Sequence, residues 1–114
     1  MLDTRFVFHV PEHYIDDTGV VGSCDNSAFV EELLKRLRSI KPRNLIIHRE
    51  KCIVDGIELW EKIICIYTDN RTDAEAAKIF AELVSKYHED LKQKEYKYEM
   101  ENMEIRIKIV EEED

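Results

Sequence analysis

Glycine, proline and tryptophan are scarce in this chain of 114 residues, which has three glycines, two prolines and one tryptophan. Such a composition excludes the collagen-like and low-complexity classes, in which glycine and proline dominate. Apolar residues make up 44% of the sequence, an ordinary share for a globular protein, so its 37% of charged residues does not indicate disorder. We therefore expect a single folded domain at 1–110, followed by an acidic tail at 111–114.

Long apolar runs are also missing, since no stretch approaches the roughly 20 residues that a membrane-spanning helix needs. The first residues lack the basic-then-apolar plan of a signal peptide. The three cysteines, Cys24, Cys52 and Cys65, are odd in number and share no short motif, which favours reduced thiols over a disulfide framework. These features predict a cytoplasmic protein that does not bind membranes.

Positive charge is in deficit, with 17 Lys and Arg against 25 Asp and Glu and a formal net charge of −8. The basic residues are dispersed and form no stripe. Direct nucleic-acid binding is not expected, because it requires clustered Lys and Arg to replace the counterions of the phosphate backbone. A basic protein would be the natural electrostatic partner.

The strongest local signal is Asp55-Gly56, which lies between two β-rich runs and predicts a long β-hairpin over 44–68 with a type I′ turn. A two-residue turn determines which residues face one another across the strands. Like charges directly opposite one another are normally unfavourable in a sheet. Two such pairs form a predicted charged belt across this hairpin: Glu50 with Glu61, and Arg49 with Lys62.

An apolar cluster follows the belt on the side of the turn. The hairpin strands would span about 36 Å when extended, whereas a helix at 28–40 spans about 20 Å and cannot cover them fully. The apolar cluster therefore either packs against the end of the longer second helix or is exposed. Exposed apolar surface of this kind usually marks an interface. Aromatic and aliphatic anchors dominate interface energetics, so the residues expected to form the interface are Ile53, Ile57, Leu59 and Trp60. Cys52 and Val54 complete the cluster.

Hydrophobic spacing predicts the order strand, helix, strand, strand, helix, strand. The strands are expected at 5–10, 44–54, 57–68 and 104–110, and the helices at 28–40 and 72–92, the second opened by a capping box at 72–75. Two crossovers around a central hairpin are typical of a ferredoxin-like βαββαβ fold. We therefore expect an α+β sandwich in which two helices cover one face of a four-stranded antiparallel sheet.

A break in the alternation within 94–103 falls at Glu101-Asn102 and predicts either a bulge or a tight turn that adds a strand. We favour the bulge, because Glu adopts positive φ poorly.

The segment 12–26 is predicted as a long loop and supplies the alternative site. Its glycines precede a helix N-terminus, where free backbone amides can bind an anion. The candidate ligand-binding residues are Asp16, Asp17, Gly19, Gly22, Ser23 and Asp25. The same residue types are also common in turns and helix caps. Together with His13 the aspartates could bind a metal, but their spacing matches no EF-hand loop, and we predict neither a metal nor a cofactor.

No catalytic constellation stands out in the sequence. Cys24 precedes a helix N-terminus, which lowers the pKa of a thiol, but no residue can be named that would orient a general base. His48 and Cys52 are separated by about 13 Å along a strand, too far to share one zinc ion. We assign no catalytic residue and lean towards a protein that is not an enzyme.

The favoured hypothesis is a protein-interaction module that forms homo-oligomers through the 44–68 hairpin or an open sheet face. Binding or inhibition of a basic protein, as an immunity or anti-defence protein would do, is suggested by small size and acidic charge. The alternative is a small-ligand-binding regulatory domain or minor enzyme that uses the 12–26 segment.

Overall fold

The computed structural model describes residues 3–69 and 71–110, so the expected tail at 111–114 lies outside the described residues. Two helices and seven strands are present in that part of the chain. They are β1 (Thr4–Pro11), β2 (His13–Ile15), β3 (Val21–Ser23), α1 (Ser27–Ser39), β4 (Asn44–Val54), β5 (Ile57–Thr68), α2 (Asp73–Leu91), β6 (Glu95–Met100) and β7 (Met103–Lys108).

Five strands form the main sheet, in the order β4-β5-β1-β6-β7, and every neighbouring pair is antiparallel. The α+β class is confirmed. The expected four-stranded sheet is wrong, since the sheet is larger and its strand order differs, and the ferredoxin-like arrangement is not confirmed. Strands β2 and β3 form a separate two-stranded sheet within the segment that was predicted to be a loop.

The fifth strand exists because Glu101-Asn102 forms a two-residue turn, so the favoured bulge was also wrong. Both residues have positive φ, 49° for Glu101 and 66° for Asn102. Arg5 holds Glu101 in this conformation. The Glu101 amide donates to the Arg5 carbonyl at 3.0 Å, and the Glu101 carboxylate accepts from the Arg5 amide at 2.8 Å. These two bonds to β1 stabilise a backbone conformation that Glu alone would avoid.

Both helices pack on one face of the sheet and enclose the main core with alternate side chains of β1, β5 and β6. Its largest fully buried members are Phe6, Phe8, Phe29, Phe80, Leu33, Leu37, Ile64, Ile66, Ile79, Leu83 and Leu91. The predicted capping box is wrong, because the Thr72 side chain makes no cap bond and donates instead to the Asp69 carbonyl at 3.2 Å. Neither helix combines the length and apolarity needed to cross a membrane.

The opposite face, which we call the open face, carries no helix. Buried Val7, Ile63 and Cys65 form a small second cluster there, against which Tyr67 packs.

The hairpin of β4 and β5 has the register that the Asp55-Gly56 turn predicted, from Val54 opposite Ile57 to Leu45 opposite Ile66. Strand β1 pairs with β5 only as far as Glu61. Residues 51–60 therefore extend beyond β1, and we call them the arm.

Candidate interaction surface on the long hairpin

Strand β4 is an edge of the main sheet. Within the described residues β5 is the only strand hydrogen-bonded to it, and nine of its eleven residues are exposed. Edge strands present unpaired backbone groups, and proteins usually keep them short or covered. An exposed edge of this length is therefore a candidate interaction surface.

Exposed aliphatic side chains are concentrated on β4. Nine large apolar side chains are exposed in the described part of the chain, and four of them belong to this strand. Because side chains alternate along a strand, Ile46 and Val54 lie on the open face, whereas Ile47 and Ile53 lie on the helix-bearing face. The apolar surface of β4 therefore wraps around the edge rather than covering one face.

The four predicted interface residues do not form a single patch. Ile57 and Leu59 lie on the open face of the arm, whereas Ile53 and Trp60 lie on the other face. Ile53 is 68% exposed, and the other three are half-buried. Ile46 and Ile47 were not among the predicted interface residues, because their exposure follows from the position of β4 at the edge of the sheet.

Trp60 contacts two cations on the same face of the hairpin. The Arg49 guanidinium lies 4.2 Å from the centre of the indole ring, and the Lys51 ammonium lies 5.2 Å from it. Arg49 Nε also donates to Glu12 Oε2 at 2.8 Å, and this bond lowers the pKa of Glu12. Arg49 thus links the Trp60 ring to Glu12 in the segment that follows β1.

The predicted charged belt is present, and each of its four side chains also contacts a residue outside its like-charged pair. Each has a hydrogen-bonding partner: Glu50 with His48, Glu61 with His9, Arg49 with Glu12, and Lys62 with Asn26. These contacts explain how two like-charged cross-strand pairs are tolerated in one hairpin.

His9 is the most constrained titratable group of the open face. Its Nδ1 lies 2.9 Å from Glu61 Oε1, and its Nε2 lies 2.7 Å from Glu99 Oε2. Both nitrogens donate to carboxylates when the ring is an imidazolium. Burial lowers the pKa of His9, but the hydrogen bonds to Glu61 and Glu99 outweigh it and raise the pKa above its usual value.

The carboxylates beside His9 contact opposite sides of the ring and so cannot converge with it on one cation. In the described ranges, no group of three or more His, Cys, Asp or Glu residues is arranged to hold a metal ion.

The candidate ligand residues of 12–26 are engaged with neighbouring residues. Asp16 Oδ1 accepts from the amides of Thr18 and Val20, and Asp25 Oδ1 accepts from the amide and hydroxyl of Ser27. Asp17 accepts from Lys94, Ser23 pairs with His13, Gly19 has a φ of 84°, and Gly22 lies under the Tyr14 ring. Turn and cap contacts account for Asp16, Gly19 and Asp25, and Gly22 and Ser23 belong to β3, so a ligand site here stays a prediction.

The thiol pKa of Cys24 is shifted in the direction opposite to the one predicted. Burial raises the pKa of its thiol, with the carboxylate of Glu12 contributing, whereas a helix N-terminus was expected to lower it. Its sulfur lies 3.5 Å from the Pro11 carbonyl oxygen. This thiol is poorly suited to act as a nucleophile.

A scan against family models, a search of curated proteins and a search of solved structures each found no match to this chain. The function therefore has to be argued from the geometry of the chain itself.

Proposed function

We propose that this protein is a non-enzymatic interaction module that self-associates through the β4–β5 hairpin. The observation that carries the proposal is the exposed eleven-residue edge strand with aliphatic side chains on both of its faces. Removing such side chains from water contributes about 25 cal/mol for each Å² buried. Contact between two copies at this surface would bury apolar area and cover the exposed edge at the same time.

Two observations support a role without catalysis. The nitrogens of His9 both contact carboxylates, so the imidazole has no free position from which to act on a substrate. The raised thiol pKa of Cys24 disfavours the nucleophilic thiolate.

Static light scattering of the purified protein tests self-association. We expect the mass of a dimer for the wild type and the mass of a monomer for Ile53→Asp, because a carboxylate would replace the most exposed aliphatic side chain of β4. The matched control is Val20→Asp, which changes a 60% exposed side chain far along the chain from β4 and should leave the mass unchanged. A monomeric wild type would refute the proposal.

A basic protein partner is the second candidate, and the net charge of −8 favours it. Three carboxylates of the open face, those of Glu50, Glu61 and Glu99, lie on β4, β5 and β6, with β1 between the last two, and would meet such a partner together. Affinity capture from the native host should then recover a basic protein with wild-type bait and lose it with Glu50→Lys. Equal recovery by both baits would count against this surface.

Three free thiols support a reducing, cytoplasmic location for either role.

A further inference from the structure

The free edge of β4 presents a regular row of backbone groups. A two-residue turn makes Val54 and Ile57 a hydrogen-bonded pair, so even-numbered residues of β4 bond to β5. The bond from the Glu12 amide to the Trp60 carbonyl confirms this parity, because it shows that Trp60, opposite Lys51, directs its carbonyl away from β4. The residues whose N–H and C=O groups face outward are Leu45, Ile47, Arg49, Lys51 and Ile53.

Symmetry restricts how two such edges can pair. When two copies of one strand pair antiparallel about a twofold axis, the axis is perpendicular to the sheet and paired residues have numbers of the same parity. Strand β4 runs from 44 to 54, so an axis at Arg49 allows all eleven residues to pair. This register joins the outward groups of odd-numbered residues in about ten backbone hydrogen bonds.

We infer that β4 pairs with β4 of a second copy about a twofold axis at Arg49, which joins two five-stranded sheets into one. This inference rests on the proposed self-association and specifies its geometry. The second copy is the partner because the side chains of β4 complement themselves in this register. The facing pairs are Asn44 with Val54, Leu45 with Ile53, Ile46 with Cys52, Ile47 with Lys51, and His48 with Glu50, and Arg49 faces itself at the axis.

Three of the facing pairs bring apolar groups of the two copies together. Leu45 would cover Ile53, the most exposed large aliphatic side chain of the strand, and Ile46 would meet the half-buried Cys52. The aliphatic stem of Lys51 would lie along Ile47, while its ammonium stays near Glu58, from which it is 3.5 Å away.

Charge also favours this register. His48 and Glu50 already lie 2.9 Å apart within one chain, and they would face each other twice between the copies. The two Arg49 residues meet at the axis, but each is bonded to Glu12 and stacked on Trp60. A shift of the axis to Glu50 would oppose two carboxylates, and a shift to His48 would place Ile46 against Glu50.

Disulfide trapping tests the register, since Ile46 and Cys52 would form a non-hydrogen-bonded pair with Cα atoms about 4.5 Å apart, within the range that a disulfide spans. The variant is Ile46→Cys in a Cys24→Ser, Cys65→Val background, because Cys65 faces residue 46 within the same hairpin. Native Cys52 is retained, and the thiol oxidant diamide is added. The matched control is Glu50→Cys in the same background, which lies on the same strand and face but about 13 Å from Cys52 of the second copy.

We expect a covalent dimer for Ile46→Cys and none for Glu50→Cys, with tryptic peptides that link residue 46 to residue 52. Equal cross-linking of both variants would overturn the register. A dimer by light scattering without the 46–52 link would overturn the pairing of β4 about Arg49 and leave self-association standing. A monomer by light scattering would overturn both.

Discussion

Ile46 and Ile47 are consecutive in β4 and lie on opposite faces of the sheet, yet they are exposed to nearly the same extent, 45% and 46%. A partner stacked on one face would cover only one of them. A strand added to the edge contacts side chains on both faces. The matched exposure of these two neighbours is therefore consistent with the proposed pairing at the edge of β4.

Proline at position 47 should abolish the dimer without unfolding the subunit. The Ile47 amide faces outward, so Ile47→Pro removes no hydrogen bond within the subunit. The matched control is Arg106→Pro, which removes an outward amide from β7 at the opposite edge of the sheet. Light scattering should give a monomer for Ile47→Pro and a dimer for Arg106→Pro, with circular dichroism unchanged in both. A dimeric Ile47→Pro protein would count against the edge as the contact.

Stability should fall as pH rises through the pKa of folded His9. That pKa is raised, because the bonds to Glu61 and Glu99 outweigh burial and the opposing charge of Lys97. Because the folded pKa is raised, protonated His9 adds to the free energy of unfolding. This stabilisation is complete below the unfolded pKa of about 6.5 and is lost as the folded imidazolium deprotonates. Urea unfolding between pH 5.5 and 8.5 should show this loss in wild type but not in His9→Asn. Identical profiles would refute it.

The turn at Glu101-Asn102 should be sensitive to side chains that resist positive φ. Asn102 has a φ of 66°, which a β-branched residue adopts only with strain. Asn102→Val should destabilise the protein by about 1–2 kcal/mol, whereas Asn102→Gly should be neutral or slightly stabilising. Thermal unfolding of both variants at one pH measures the difference. Equal stability would indicate that the turn rearranges.

Gly22 should be required for packing rather than for binding a ligand. A Cβ atom at this position would overlap the ring of Tyr14, its cross-strand neighbour. Gly22→Ala should cost about 1 kcal/mol, because the outer end of the Tyr14 side chain can move aside. The cost should largely disappear in a Tyr14→Ala background, as unfolding of the four proteins in a double-mutant cycle would measure. An undiminished cost would point to another role for Gly22.

Sequence reasoning succeeded where local chemistry determines the outcome. Asp55-Gly56 specifies its turn through residues that accept positive φ, and the register of the entire hairpin follows from it. At Glu101 the local preference was overridden by two hydrogen bonds to Arg5, a residue 96 positions away, which no local pattern reveals.

The candidate surface could be predicted only in part for a similar reason. Ile53 was identified because the apolar cluster near the turn is visible in the sequence. Ile46 and Ile47 were missed, since their exposure depends on β4 lying at the sheet edge, which the strand order decides. The short strands β2 and β3 have three residues each, too few to produce a periodic signal.

Hydrogen exchange of the β4 amides, measured residue by residue by NMR, tests the edge pairing most directly. Amides of even-numbered residues such as His48 bond to β5 and should be protected in a monomer or a dimer. Our account predicts that the outward amides of Ile47, Arg49 and Lys51 are protected as well, and that dilution weakens their protection alone. Unprotected exchange at these three amides, alongside a protected His48 amide and a dimeric mass, would contradict it.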